Sequence, residues 1–290
     1  MREALVDNGG CPGNGWSVIT SAPTNSQLAG VLAGFVFTGI IILFGRPGAK
    51  NTQTLGLFAA TFVVLGLDSY LFSLVSGGNT DPMCARVWSE AMAASGMLAA
   101  GAMALIGGIR WLLSHHLDDD AVELASDSKI VDLDRLSRFM LYGVATTVML
   151  LLARTALDYF EVVFGNHGPG WLRWLVSLSP VAVGVVAAWL GWKRARREAD
   201  GSIETAKRSS SATALGLLIY AVIGTVFAGT LTSLPTTWWS PTPMFFVLLT
   251  MVVGLVVPAV LVVALVLSAP RPAEPVVEAQ PVETEGADGR

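Results

Sequence analysis

Seven apolar runs recur along the chain, separated by short polar gaps. They cover roughly Gln27 to Phe44, Thr54 to Val75, Val87 to Leu113, Phe139 to Phe164, Trp171 to Trp192, Ala212 to Leu234 and Met244 to Ser268. Each is close to the ~20 residues that an α-helix needs to cross the hydrocarbon of a bilayer. Irregular backbone cannot face lipid, because its N–H and C=O groups would find no partner there, so helices are the spanning choice. The pattern predicts an all-α, polytopic integral membrane protein. It is a seven-transmembrane helix bundle over residues 27–268, with an extracytoplasmic tail over 1–26 and a disordered cytoplasmic tail over 269–290. The last stretch is rich in Pro, Glu, Ala and Val and lacks aromatic residues, so it cannot bury a core. Met1 to Ser26 has no apolar centre behind a basic start and contains Gly9, Gly10, Pro12 and Gly13. It reads as a translocated tail rather than a cleavable signal peptide.

Composition supports a lipid-facing surface. Charged residues make up 14% of the chain, against about 25% in soluble domains. The net charge of -4 names no partner, because the acid and the base lie in different gaps. No basic stripe interleaved with aromatics is present, so nucleic acid is not an expected partner.

The gaps give an orientation. Arg46 and Lys50 follow the first run, Arg110 closes the third with Lys129, Arg135 and Arg138 after it, and Lys193, Arg194, Arg196, Arg197, Lys207 and Arg208 follow the fifth. The gaps after the fourth and sixth runs hold no Lys or Arg. Positive charge is retained on the cytoplasmic side. The expectation is a cell-membrane protein with its N-terminus outside and its C-terminus in the cytoplasm. Cys11 and Cys84 then share the oxidising side, where disulfides persist, and are expected to bridge the tail to the mouth of the bundle.

The third run carries Gly96, Ala100, Ala104 and Gly108 at intervals of four, with Ala93 and Gly101 beside them. Small residues on one face let helices approach closely in lipid, so this run is expected at the bundle centre. This feature is structural.

Ionisable residues inside the runs are the functional lead, since charge at bilayer depth usually faces the bundle interior or a cavity. The candidates for a ligand or ion cavity are Asp68, Glu90, Arg154, Asp158 and Glu161, with Ser177 at a similar level. Arg154, Asp158 and Glu161 share one helical face at i, i+4 and i+7. Counting rise per residue puts Asp68 and Arg154 at matching depth, about 4 to 5 Å outward of mid-span, with Asp158 about 6 Å further out. The expectation is an Asp68–Arg154 pair forming the floor of an outward-facing polar cavity. A purely structural lock between two helices fits the same residues. What favours a site is the excess of carboxylates over cations, which leaves one needing a proton, cation or metal.

Most catalytic templates fail. The chain has His115, His116 and His167 and none lies inside a run, so neither a bis-histidine haem nor an embedded three-histidine zinc site is expected, and no cofactor is. Seven spans are also the topology of rhodopsins and other seven-span receptors. The seventh run has no Lys, which excludes a retinal Schiff base, and topology alone assigns no family. His115, His116 and Asp118 to Asp120 read as a solvated acidic loop, and Ala121 to Ser137 as a segment along the inner surface. Two function classes stay open. One is receptor-like sensing or membrane scaffolding and signal coupling, with a small ligand or cation from outside and a cytoplasmic protein partner on the inner loops or C-terminal tail. The other is a small transporter or channel for a cation or proton, and a membrane-embedded enzyme ranks third.

Overall fold

The computed structural model describes residues 18–45, 52–78, 84–120, 127–164, 168–197, 203–239 and 244–268. The chain forms α1 (Ala22–Phe44), α2 (Thr52–Gly77), α3 (Cys84–Asp120), α4 (Asp127–Phe164), α5 (Gly170–Arg197) and α6 (Ile203–Ser233). A short 3₁₀ turn at Thr236–Trp239 leads to α7 (Met244–Met251), which runs through a π-turn (Val252–Val256) into α8 (Val257–Ser268). α7, the π-turn and α8 form one continuous seventh span, Met244–Ser268. All seven spans are long and apolar enough to cross a membrane, and the protein is a multi-pass membrane protein with a seven-helix bundle. Among the described residues there is no strand.

Boundaries differ from the apolar runs in three places. α1 begins at Ala22 with Pro23 in its first turn, where the missing N–H costs nothing, so the helix takes the last residues assigned to the tail. α3 continues through His115, His116 and Asp118 to Asp120, so the acidic stretch is the end of a helix rather than a loop. α4 starts at Asp127 and runs unbroken for 38 residues. From residue 127 onward the segment expected along the membrane surface is therefore the first turns of α4. Its apolar residues continue the helical period of the span, and no Gly or Pro interrupts them.

α3 is the centre, as its small residues require. Within its span window 67% of residues are buried, against 22% for α1 and 17% for α5. It packs on α2, α4, α6 and all three parts of the seventh span. Gly108 lies against the ring of Phe58, Gly101 against Leu65, and Ala100 and Ala104 are fully buried. α1 packs almost wholly on α2, α5 packs on α4 and α8, and α2 also packs on α6. α1 and α5 thus stand at opposite margins.

The surface of α5 carries a ruler for the bilayer. Trp171 and Trp174 are exposed at one end and Trp189 and Trp192 at the other, as in the aromatic belts of the two interfaces. Eighteen residues separate corresponding rings, about 27 Å at 1.5 Å per residue, which matches the hydrocarbon thickness of roughly 30 Å. Lys193 Nζ stands 5.0 Å from the Trp189 ring centre, holding a cation at the headgroup level. We call the end where α1, α3, α5 and α7 begin the entry end.

A candidate site at the kink of the seventh span

Asp68 sits in the middle of the buried face of α2, among Leu57, Thr61, Val64, Leu65, Leu71, Phe72 and Val75. It is 0% exposed, and neither carboxylate oxygen has a hydrogen-bond partner. The expected partner is elsewhere. Arg154 projects from α4 with its side chain 64% exposed, and its Nε lies 3.6 Å from Asp158 Oδ1 on the same helix. α2 packs on α1, α3 and α6, so the Asp68–Arg154 pair does not form. Rotation about each helix axis sets the partner, and α4 turns Arg154 away from the bundle.

The neighbour that matters is Tyr220 of α6. Its side chain is buried and within Coulomb range of Asp68. Its hydroxyl donates to the carbonyl of Val253 at 3.0 Å, in the π-turn. Pro258 explains why that carbonyl is free. In the π-turn the N–H of Val257 bonds the carbonyl of Val252, five residues back. Val253 would take the next N–H, and Pro258 has none. The Tyr220 hydroxyl fills the gap. Pro180 in α5 poses the same problem one register shorter. The Ser179 hydroxyl donates to Val176 O at 2.8 Å, the carbonyl four residues before that proline.

Gly96 makes room for this junction. A Cβ there would lie 2.6 Å from the Tyr220 hydroxyl, 2.8 Å from Gly254 O and 2.9 Å from Pro258 Cγ. Gly254 in turn lets the bulge rest on Met92, whose carbonyl would be 2.7 Å from a Cβ. α2, α3, α6 and the π-turn therefore meet at one polar point within about 5 Å of mid-span, by rise per residue.

A second polar layer lies nearer the entry end. Ser89 Oγ donates to Ala85 O at 2.8 Å and stands 3.0 Å from the Tyr159 hydroxyl. The serine's hydrogen is spent on its own helix, so the tyrosine donates across the α3–α4 contact. Thr250 of α7 adjoins the same tyrosine. Glu90, buried on α3, pairs with Arg86 one turn earlier, Nε to Oε1 at 3.3 Å, and Arg86 NH1 also donates to Thr232 O at the end of α6 at 3.3 Å. Arg86 offsets the Glu90 charge only in part, because the contact is an ion pair without a hydrogen bond between Nε and Oε1.

The remaining candidates lie off this axis. Asp158 is half-buried beside Arg154, while Glu161 and Ser177 are exposed, and Ser177 donates to Arg173 O of its own helix. Cys84 opens α3 and is not a free thiol; Cys11 lies outside the described residues, as do His167 and the C-terminal tail. Among the described residues no group of three His, Cys, Asp or Glu stands together as a metal site. Tyr220, Pro258, Gly254 and Tyr159 were not singled out as site residues. A proline inside the seventh run was the available signal for the bulge. No family model, curated protein or solved structure matches the chain.

Proposed function

We propose that this is a receptor-like, signal-coupling membrane protein in which Asp68 takes up a proton or a small cation and the kink of the seventh span carries the response. The observation that carries the reading is Asp68 itself, fully buried with both oxygens unpartnered. A charged carboxylate so placed is costly, and the cost is relieved by a proton or a cation. Tyr220 has a single O–H, and the Val253 carbonyl holds it. An ionised Asp68 competes for that hydrogen, and yielding it leaves the carbonyl beside Pro258 bare. Occupancy of Asp68 thus biases a bulge of the kind that recurs at functional sites, which is what a ligand-driven two-state element requires.

Sensing is favoured over conduction by what lies beyond the junction. Thr54, Arg110, Ser210, Thr213 and Ser268 form a polar layer at the opposite end. Between the two lie buried Leu57, Met103, Ala104, Leu217, Leu261 and Leu265, with no charged group among them. The Lys and Arg asymmetry puts the entry end outside. A Cys11–Cys84 bridge there would tether the tail over the entry layer, leaving the inner gaps and the 269–290 tail for a cytoplasmic partner.

Thermal unfolding in lipid nanodiscs, across a pH series and with sodium, potassium or calcium, tests the proposal. If a proton is the occupant, the folded state holds a proton that the unfolded state releases. Stability then falls as pH rises, by up to about 1.4 kcal/mol per pH unit. A cation occupant raises the melting temperature with concentration instead. Asp68→Asn should be stable and blind to the effector. Identical responses from the wild type and Asp68→Asn would remove the site, and steady ion or proton flux through proteoliposomes would favour transport.

A further inference from the structure

The outward face of α4 carries charge where lipid should lie. Arg154 is largely exposed and Glu161 exposed, with Asp158 half-buried between them. Arg173 is exposed in the first turns of α5, the helix that packs against α4. By rise per residue these groups lie about 4 Å (Arg154), 10 Å (Asp158 and Arg173) and 14 Å (Glu161) from mid-span, toward the entry end. Arg154 sits inside the hydrocarbon, and its carboxylate partner covers one side of it only.

The same stripe of α4 is shaped for close approach. Gly143 and Thr147 lie two turns and one turn before Leu150 and Leu151, on the face that carries Arg154, and all four are exposed. A Cβ at Gly143 would meet nothing within 4 Å, so that glycine serves no packing inside this chain. Small residues four apart, followed by polar groups that bond across the contact, are how helices associate in membranes.

We propose that the α4 face, flanked by α5, is the interface with a second copy of this chain. Charge complementarity commits the occupant. α4 and the first turns of α5 together carry two cations, Arg154 and Arg173, and two carboxylates, Asp158 and Glu161, within a band of about 10 Å along the normal. Under a two-fold axis normal to the membrane the copies run parallel. Gly143 and Thr147 then meet their equivalents. The partner's Arg173 reaches the level of Asp158 and Glu161, and each guanidinium gains an acceptor from the other chain. A self-complementary patch is what an isologous interface needs.

Subunit counting at low density in lipid vesicles, together with cysteine crosslinking, tests this. The wild type is expected to dimerise, and Thr147→Cys to crosslink to itself under mild oxidation. Gly143→Leu should fold normally, because space is open there within one chain, and should weaken dimerisation at least tenfold. Arg154→Leu should weaken it as well. A monomer at every density would overturn the proposal, as would a dimer unaffected by Gly143→Leu. Crosslinking through Gly34→Cys of α1 instead, or of Thr147→Cys only to another protein, would overturn it too. Asp68→Asn should dimerise normally, so failure here leaves the Asp68 reading intact.

Discussion

Replacing Gly96 with alanine should destabilise the bundle by about 3 kcal/mol or more, at the upper end of what overpacking costs. The added Cβ meets three atoms inside 3.0 Å: the Tyr220 hydroxyl, the Gly254 carbonyl and the Pro258 ring. A tyrosine tip can swing aside. A carbonyl and a proline ring move only with the seventh span. Relief therefore requires α3 and the π-turn to separate. Gly39→Ala is the control, since a Cβ there meets nothing within 4 Å. Melting both variants in the same detergent checks the claim. A small loss for Gly96→Ala would mean that the kink is softer than its contacts imply.

Tyr220→Phe should cost about 1–3 kcal/mol, the penalty of leaving a buried carbonyl without its donor. The ring stays and only the hydroxyl goes, so packing against Gly96 is nearly preserved. Val253 O then faces Pro258, which cannot serve it. Hydrogen exchange should rise at the amides of Val252 to Val257, and the response to the Asp68 effector should vanish. Combined with Gly96→Ala the two losses should sum to less than their total, because the phenylalanine removes one of the three clashes. If Tyr220→Phe melts like the wild type and exchange is unchanged, Pro258 alone holds the bulge and the tyrosine carries no signal.

The bundle was legible because lipid imposes a coarse rule. About 20 apolar residues in a row admit one structure, and small residues at every fourth position of α3 put that helix at the centre. Partners across the bundle were not legible. Depth follows from counting residues, but which way a side chain points depends on how each helix is rotated. That is set by packing among Leu57, Val64, Phe72, Leu217 and their like, where many rotations are equally apolar. Arg154 illustrates the gap: counting residues places it along α4 but does not give the outward face it takes. Glu90 has a neighbour that the apolar runs do not show, since Arg86, one turn away at i−4, sits at the edge of the run. The π-turn was hidden because its residues, Val252 to Val256, are as apolar as the α-helix around them, and only Pro258 marks the register change.

The marginal position of α1 has a consequence for how the chain can be made. α1 meets the remainder almost entirely through α2, on a seam fastened by reciprocal bonds: Ser26 Oγ to Ser69 O at 2.8 Å and Ser69 Oγ to Ser26 O at 2.9 Å, with Gly30 facing Ser69. Such a segment behaves as a detachable module. Cutting the gene between residues 46 and 51 should give two polypeptides that insert separately and recombine in the bilayer, recovered as a complex on a tag carried by either piece. A cut between α3 and α4 should fail, because it divides the core across four helix contacts, α2 with α6 and α3 with α4, α6 and the seventh span, rather than essentially one. The protein is in this sense a six-helix body with an interchangeable strut, and the strut's outward face is free to be redesigned without touching the kink.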